Sequence, residues 1–206
     1  MIHEFYVQME GLDKIQHDFG ILKDQSKKVL KAALNNAAKD LTKQMTHGAN
    51  KRYKLKEGLK GYKSANKTKK ATVGNLEAVI TARGNVLDMH DYKMSDTTVY
   101  PGGKGAPKWV KAKVLRKSRL KGISRFTHGR DKYKGFMVRF HNGHEAFVSR
   151  RPGSVSKSNP NKEVIETLYS PAVSKGEEVV YRDDLEGDVH ALLLKNIEQQ
   201  IHRFLG

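Results

Sequence analysis

The sequence of 206 residues contains no cysteine. This absence excludes disulfide frameworks, thiolate metal sites and cysteine nucleophiles, and it is typical of proteins that fold in a reducing compartment. Long apolar runs are missing too, since no stretch approaches the 18 continuous apolar residues of a membrane span. The opening residues are interrupted by His3 and Glu4, so they do not resemble a signal peptide. We therefore expect a soluble protein that acts where it is made or in a particle assembled there.

Acidic residues are scarce in the middle of the chain. Residues 51–134 contain 23 Lys and Arg but only 6 Asp and Glu, a net charge of +17 that equals the charge of the whole protein. Few aromatic residues are interleaved with them, so base-stacking platforms are not expected. Such density predicts salt-dependent contacts with phosphates, with solvated loops or docking on an acidic partner subunit as open alternatives. The candidate residues of this DNA- or partner-binding patch are Lys51, Arg52, Lys54, Lys56, Lys67, Lys69, Lys70, Lys108, Lys111, Lys113, Arg116, Lys117, Arg119 and Lys121.

Hydrophobic periodicity predicts an α+β fold. Apolar residues recur every three or four positions from Leu12 to Met45, which predicts one long N-terminal helix, or two nearly collinear ones with a break around residues 20–26, ending near residue 47. The same spacing from Leu185 to Leu205 predicts a C-terminal helix. We expect both helices to pack on one antiparallel sheet, with Asn142-Gly143 forming a hairpin turn. Strands are predicted at 2–8, 76–82, 111–115, 136–140, 146–149 and 164–168.

Glycine and polar residues predict the loops. Gly58 and Gly61 favour a loop or extended arm over residues 50–70. Residues 95–107 and 151–161 are rich in turn-forming residues and are predicted to be loops as well. The chain length fits one domain. We therefore predict a single domain over 1–206, with basic loop or arm insertions at about 50–70 and 95–134.

The sequence offers no strong catalytic arrangement, and we predict no enzyme activity, cofactor or metal site. His141 and His144 are the closest histidine pair, but a closed zinc site needs about four ligands. A metal-dependent nuclease using these histidines is an alternative, although such enzymes place metal ligands on a following helix and here a strand follows. The acidic pairs Glu177-Glu178 and Asp183-Asp184 are expected to be exposed and to favour the N-terminus of the last helix.

The segment from Gly135 to Val173 resembles the phage minor tail protein Z family. It reads GFMVRF, NGHEAFVSRR and VIETLYSPAV, similar to that family's strand, glycine-histidine turn, Phe-x-x-Arg strand, Ile-x-Glu-Leu-Tyr strand and proline-containing turn. Thr167 interrupts the Glu-Leu-Tyr order, and Glu145-Ala146 replaces smaller residues. With the C-terminal helix, the similarity covers about a third of the chain. The matching residues are Gly143, His144, Phe147, Arg150, Ile165, Glu166, Leu168, Tyr169 and Pro171.

The resemblance implies a structural subunit of a bacteriophage tail, a tail-completion or neck protein at the head-proximal end that takes part in head–tail joining. It further implies a homo-oligomeric ring, with six copies expected, made in the host cytoplasm and incorporated into the virion tail. The implied partners are tail-tube or tail-terminator proteins, the head–tail connector, and phage DNA or tape-measure protein, with no membrane. A nonspecific double-stranded DNA-binding protein is the alternative from another class. In the fold, Phe147, Ile165, Leu168 and Tyr169 are expected to pack under the helices.

Overall fold

The protein was analysed as a computed structural model. The residues it describes are 2–8, 25–101, 104–123, 127–128, 131–157 and 159–205. By its internal contacts the chain divides into two compact units. Unit 1 comprises 1–49, 59–85 and 173–206, and unit 2 comprises 50–58 and 86–172. The single-domain prediction stays a prediction, because compactness alone does not decide whether a unit folds independently.

Among its described residues, unit 1 contains two longer helices, two short ones and three strands. Its elements, in chain order, are β1 (Ile2–Gln8), α1 (Ser26–Arg52, whose last three residues belong to unit 2), α2 (Leu59–Ala65), β2 (Asn66–Lys69), β3 (Glu77–Arg83), α3 (Val173–Val180) and α4 (Val189–Leu205). A π-helical turn at Tyr181–Leu185 and a 3-10 turn at Glu186–Asp188 connect α3 to α4. No helix among the described residues is long and apolar enough to cross a bilayer.

The core of unit 1 lies between helices and one antiparallel sheet. The strand order is β1-β3-β2, with Phe5 opposite Ile80 and Val7 opposite Ala78. Because side chains alternate along a strand, these four residues share one face, which packs against α1 and α4. The helices contribute the buried residues Leu30, Ala33, Leu34, Ala37, Ala38, Leu41, Met45, Leu193 and Ile197. The predicted α+β fold with a C-terminal helix packed on a sheet is confirmed.

Helix α1 begins at Ser26 and ends at Arg52, so the predicted end near residue 47 is wrong. Gly48 does not terminate the helix, because its missing side chain serves helix packing. A Cβ atom there would lie 2.6 Å from Cγ1 of Val180 on α3. The part of the predicted helix before residue 25 lies outside the described residues.

The loop predicted for residues 50–70 is wrong. The structure places α2 and β2 there, with the Tyr62 side chain fully buried. The abundance of lysine favoured a loop prediction, but Lys60, Lys67 and Lys69 keep their side chains exposed on α2 and β2 while Gly61 and Tyr62 on α2 are buried. Just after β2, the Asn35 side chain exchanges two hydrogen bonds with the backbone of Ala71, at 2.8 and 3.1 Å. This exchange ties the chain to α1.

Unit 2 consists of small antiparallel sheets. Its strands are β4 (Leu87–Asp88), β5 (Lys93–Met94), β6 (Lys111–Lys113), β7 (Lys121–Gly122), β8 (Thr127–His128), β9 (Asp131–Lys132), β10 (Gly135–Arg139), β11 (Glu145–Ser156), β12 (Asn159–Thr167) and β13 (Tyr169–Ser170). They pair as β5-β6-β7, β8-β9, β10-β11-β12 and β13-β4. The loop predicted for 151–161 is therefore wrong, since both strands of the β11-β12 hairpin extend into it.

The predicted hairpin turn at Asn142-Gly143 is confirmed, with a different loop length. Gly143 has a φ of +80°, and among the described residues only glycines have a positive φ. Backbone bonds from Phe140 N to His144 O and from Gly143 N to Phe140 O close a three-residue loop. A two-residue type I′ turn needs positive φ at both central residues, so Asn142 cannot form one here.

Phe147 and Leu168 are buried, as expected for core residues of a sheet. They pack with Val110 and Met137 in a separate core of unit 2. The exposed Tyr169 pairs through its backbone with Asp88. The expectation that these residues lie under the helices is wrong, because the unit 1 sheet is formed by other strands.

Glu177 is buried, so the prediction of an exposed acidic pair is wrong for this residue. Its side chain is 0% exposed on α3, and its Oε1 accepts a hydrogen bond of 2.6 Å from Asn66. Burial raises the Glu177 pKa from 4.5 to about 7, and the Asn66 hydrogen bond partly opposes that rise. The neighbouring Glu178 binds Lys175 at 2.7 Å, and this contact lowers the Glu178 pKa.

We expect Glu177→Gln to make the folded protein less sensitive to alkaline pH. The folded state holds the Glu177 proton more tightly than the unfolded state, so its stabilising contribution is complete below pH 4.5 and is lost as pH rises through about 7. Measured by urea unfolding, the free energy of unfolding of the variant should rise relative to that of the native protein by up to about 3 kcal/mol between pH 5 and pH 8. Glu178→Gln is the control and should lose stability at pH 8. A constant difference between Glu177→Gln and the native protein would contradict the burial effect.

We expect Gly135→Ala to destabilise the protein by about 1–3 kcal/mol. An added Cβ would overlap the Phe147 ring and lie 3.3 Å from Cδ1 of Leu168, both in the core of unit 2. Gly122→Ala is the matched control, because the nearest atom to its Cβ is Trp109 Cε3 at 3.8 Å. Thermal unfolding of both variants measures the effect. Equal melting temperatures would show that Phe147 and Leu168 can shift to accommodate the added methyl group at little cost.

Candidate partner or nucleic-acid interface

Backbone pairing brings two sequence-distant basic runs together in unit 2. Tyr53 forms a bridge with Leu115, while Lys54 N donates to Val114 O at 2.7 Å. Arg116 N donates to Arg52 O at 2.9 Å. These three contacts align the basic residues 51–56 with the second run, 108–121. We call the side chains of these two runs the basic surface.

A small sheet extends the second run. Lys93 on β5 lies opposite Lys113 on β6, and Lys121 on β7 lies opposite Ala112. Like charges directly opposite each other disfavour a sheet, so this pairing must be held by other contacts. Buried Ala112 and Val110, with Tyr92 nearly fully buried, supply apolar packing in unit 2.

Most of the excess charge of the protein belongs to unit 2. Its sequence holds 22 Lys and Arg against 8 Asp and Glu, a net charge of +14, whereas unit 1 has a net charge of +3. The side chains of Lys51, Lys56, Lys111, Lys117 and Lys121 are exposed. Among the described residues, no carboxylate forms an ion pair with these five lysines. The arrangement can therefore bind a polyanion by displacing counterions.

Arg116 differs from the other residues of the predicted patch because its guanidinium has a structural role. Its Nε donates to Tyr53 O at 3.1 Å and also to Asn50 O, and Nη2 donates to Asn50 Oδ1 at 3.1 Å. These acceptors lie at the C-terminal end of α1 and just beyond it. A cation there satisfies carbonyl groups that the helix leaves unpaired.

Three residues of the predicted patch belong to unit 1. Lys67 and Lys69 lie on β2, opposite Thr81 and Val79, with their side chains exposed. Lys70 follows the strand and is also exposed. The structure therefore joins 51–56 with 108–121 and assigns 67–70 to a different compact unit.

The histidine pair considered from the sequence lies at the β10-β11 turn. His144 Nε2 is 3.4 Å from Asp88 Oδ2, and the His144 ring stacks on Phe140 with a centroid distance of 6.0 Å. His141 is exposed in the turn. Within the described ranges, no group of three or more potential metal ligands is found.

The remaining residues of the family-like segment lie on or beside the same sheet. Glu166 on β12 pairs with Arg151 at 3.2 Å, and the Pro171 carbonyl accepts a 3.0 Å hydrogen bond from the Tyr92 hydroxyl. The Arg150 guanidinium lies over the Phe136 ring, 5.5 Å from its centroid. Sequence reasoning missed this last pair, because a two-residue loop at Asn142-Gly143 would have placed Phe136 opposite Ser149 and not opposite Val148.

We expect Arg116→Ala to destabilise the protein by about 2 kcal/mol, because it leaves several acceptors near the end of α1 without their donor. Arg116→Lys should recover only part of the loss, since a single ammonium cannot reproduce the planar fork. Lys117→Ala, which removes an exposed neighbour, is the control and should be neutral. Urea unfolding gives the three values. Neutral behaviour of Arg116→Ala would make Arg116 an ordinary surface cation.

No family model, no curated protein and no solved structure matches the chain.

Proposed function

We propose that this protein is a structural subunit of a bacteriophage tail, of the minor-tail or tail-completion type. It acts without catalysis at the head-proximal end, in tail completion and in joining the tail to the head. Its copies associate as a ring, with a hexamer expected, through heterologous contacts that close under cyclic symmetry. The observation that carries the proposal is the similarity of segment 135–173 to minor tail protein Z, and residues 135–167 of that segment form the β10-β11-β12 sheet.

The residues that carry the similarity have definite positions in or beside that sheet. Gly143 occupies the positive-φ position of the turn, and Phe147 and Leu168 fill the local core. Their spacing is thus tied to a particular strand-turn-strand geometry, which supports a shared fold over this segment. Since a fold alone does not define a function, the tail role needs a direct test.

The basic surface suits a fixed contact in such an assembly. A channel lined uniformly by lysines would slow DNA that slides through it, because every phosphate contact must be broken in turn. The surface is therefore better suited to an acidic face of a neighbouring subunit or tail tube, or to a stationary DNA end. Because unit 2 carries a net charge of +14 and unit 1 only +3, a contact through unit 2 is favoured over binding spread across the whole protein surface.

The same charge favours the alternative, a nonspecific double-stranded DNA-binding protein. Such a protein would bind duplex as a free monomer or dimer, with an affinity that falls steeply as salt rises. The logarithm of the binding constant changes by about 0.9 per neutralised phosphate for each unit in the logarithm of salt concentration. Replacing two contacting lysines by glutamate should reduce that slope by about 2.

The deciding measurement is the mass of the purified protein, alone and mixed with phage tail tubes, by light scattering with negative-stain imaging. We expect rings, or caps on the ends of tubes. A monomer that ignores tubes but binds duplex DNA with a steep salt slope would replace the tail proposal by the alternative.

A pair of charge-reversal variants tests the part played by the basic surface. Lys111→Glu with Lys117→Glu should weaken attachment to tubes, whereas Lys27→Glu with Lys31→Glu changes exposed residues of α1 by the same charge and should not. Equal effects of the two pairs would show that only net charge matters.

A further inference from the structure

Unit 2 contains an open groove of about 1420 Å³ along the β10-β11-β12 sheet. Phe136 lies opposite Val148 and Val138 opposite Ala146, while Arg150 lies opposite Ile165. Because opposed residues project to the same side, the lining residues Phe136, Val138, Arg150 and Ile165 share one face. Residues 97–101 and the outer part of the β11-β12 hairpin supply further lining.

The groove combines apolar side chains with excess positive charge. Apolar lining residues include Val99, Pro107, Phe136, Ile165 and Val155, the last of which is 64% exposed. A well-exposed valine in a concave apolar surface indicates area that a partner can bury.

The groove is lined by more cationic than anionic side chains. Among the described lining residues, the cations are Lys134, Arg139, Arg150, Lys157 and Lys162, and the carboxylates are Glu145 and Glu163. Glu145 is already paired with Arg139 through a short contact. The groove therefore retains a net positive charge that its own carboxylates do not neutralise.

Arg150 is placed to receive a carboxylate. Its guanidinium rests over the Phe136 ring, which restricts its motion while leaving its N–H groups at the edge of the plane. Among the described residues, none forms an ion pair with Arg150. A positioned guanidinium of this kind is suited to bidentate binding of a planar carboxylate.

We propose that this groove binds an acidic segment of a partner protein that carries apolar anchor residues. The anchors contact the Phe136 and Ile165 face, and the carboxylates contact Arg150, Lys157 and Lys162. Duplex DNA fits less well, because its phosphate backbone would leave the apolar lining unburied. The binding does not depend on the tail function, since any protein that presents such a segment would satisfy it.

The test uses the full-length protein and short fluorescein-labelled peptides, with binding followed by fluorescence anisotropy at physiological salt. The main probe alternates Asp or Glu with Leu or Phe. One comparison peptide replaces the apolar residues by Ser, another replaces the acidic residues by Lys, and a labelled DNA duplex is a third. We expect the main probe to bind at least about tenfold more tightly than either comparison peptide.

Two double variants locate the binding. Lys157→Glu with Lys162→Glu changes exposed hairpin residues of the groove and should weaken the main probe about tenfold or more. Lys117→Glu with Arg119→Glu makes the same charge change on the basic surface and should alter affinity by less than about twofold. Arg150→Gln, which retains length but removes the charge, should also weaken binding.

Several outcomes would overturn the proposal. Equal losses in the two double variants would indicate nonspecific attraction, and equal affinity for the peptide without apolar residues would remove the anchor role. Duplex binding that the groove variants abolish would assign the groove to nucleic acid instead. Circular dichroism and thermal unfolding of each variant show whether its fold is intact. The hairpin pair keeps the test decisive if Arg150→Gln fails to fold.

Discussion

The short backbone pairing between residues 52–54 and 114–116 is the interaction on which the basic surface depends. Lysines crowded onto small strands repel one another, so local preference alone would not assemble them. Backbone hydrogen bonds, the Tyr53 bridge to Leu115 and the Arg116 guanidinium at the end of α1 supply the opposing attraction. Arg116 thus stabilises the backbone arrangement that brings the other basic residues together. Its role is therefore structural, in contrast to that of an exposed lysine available to bind phosphate.

Unit 1 illustrates a different balance between burial and charge. Its sheet and helices exclude water well enough to raise the pKa of Glu177 to about 7, while the adjacent Glu178 remains close to Lys175 and has a lowered pKa. Two neighbouring carboxyl groups therefore have opposite linkage to folding. Helical geometry contributes, because successive residues point about 100° apart, which leaves Glu177 fully buried while Glu178 stays partly exposed beside Lys175.

The β10-β11 hairpin shows how a single turn residue fixes a surface. The pair Asn142-Gly143 predicts a hairpin, but a two-residue loop would place Phe136 opposite Ser149. The three-residue loop moves the register by one and places Phe136 opposite Val148, on the face that carries Arg150. Since strand side chains alternate, this one-residue difference places Arg150, and not the adjacent Arg151, on the face of Phe136.

The sequence by itself determined the α+β class, the C-terminal helix, the strand at 77–83 and the hairpin, because each depends on local periodicity or on glycine. It also located the excess charge, which composition fixes. Tertiary structure decided what local patterns do not encode: that 59–69 forms a helix and a strand, that α1 continues past Gly48, and that Glu177 is buried. It also decided which basic runs meet. These outcomes depend on contacts between residues far apart in the chain, such as Gly48 with Val180 and Asn66 with Glu177, whose energies no local window contains.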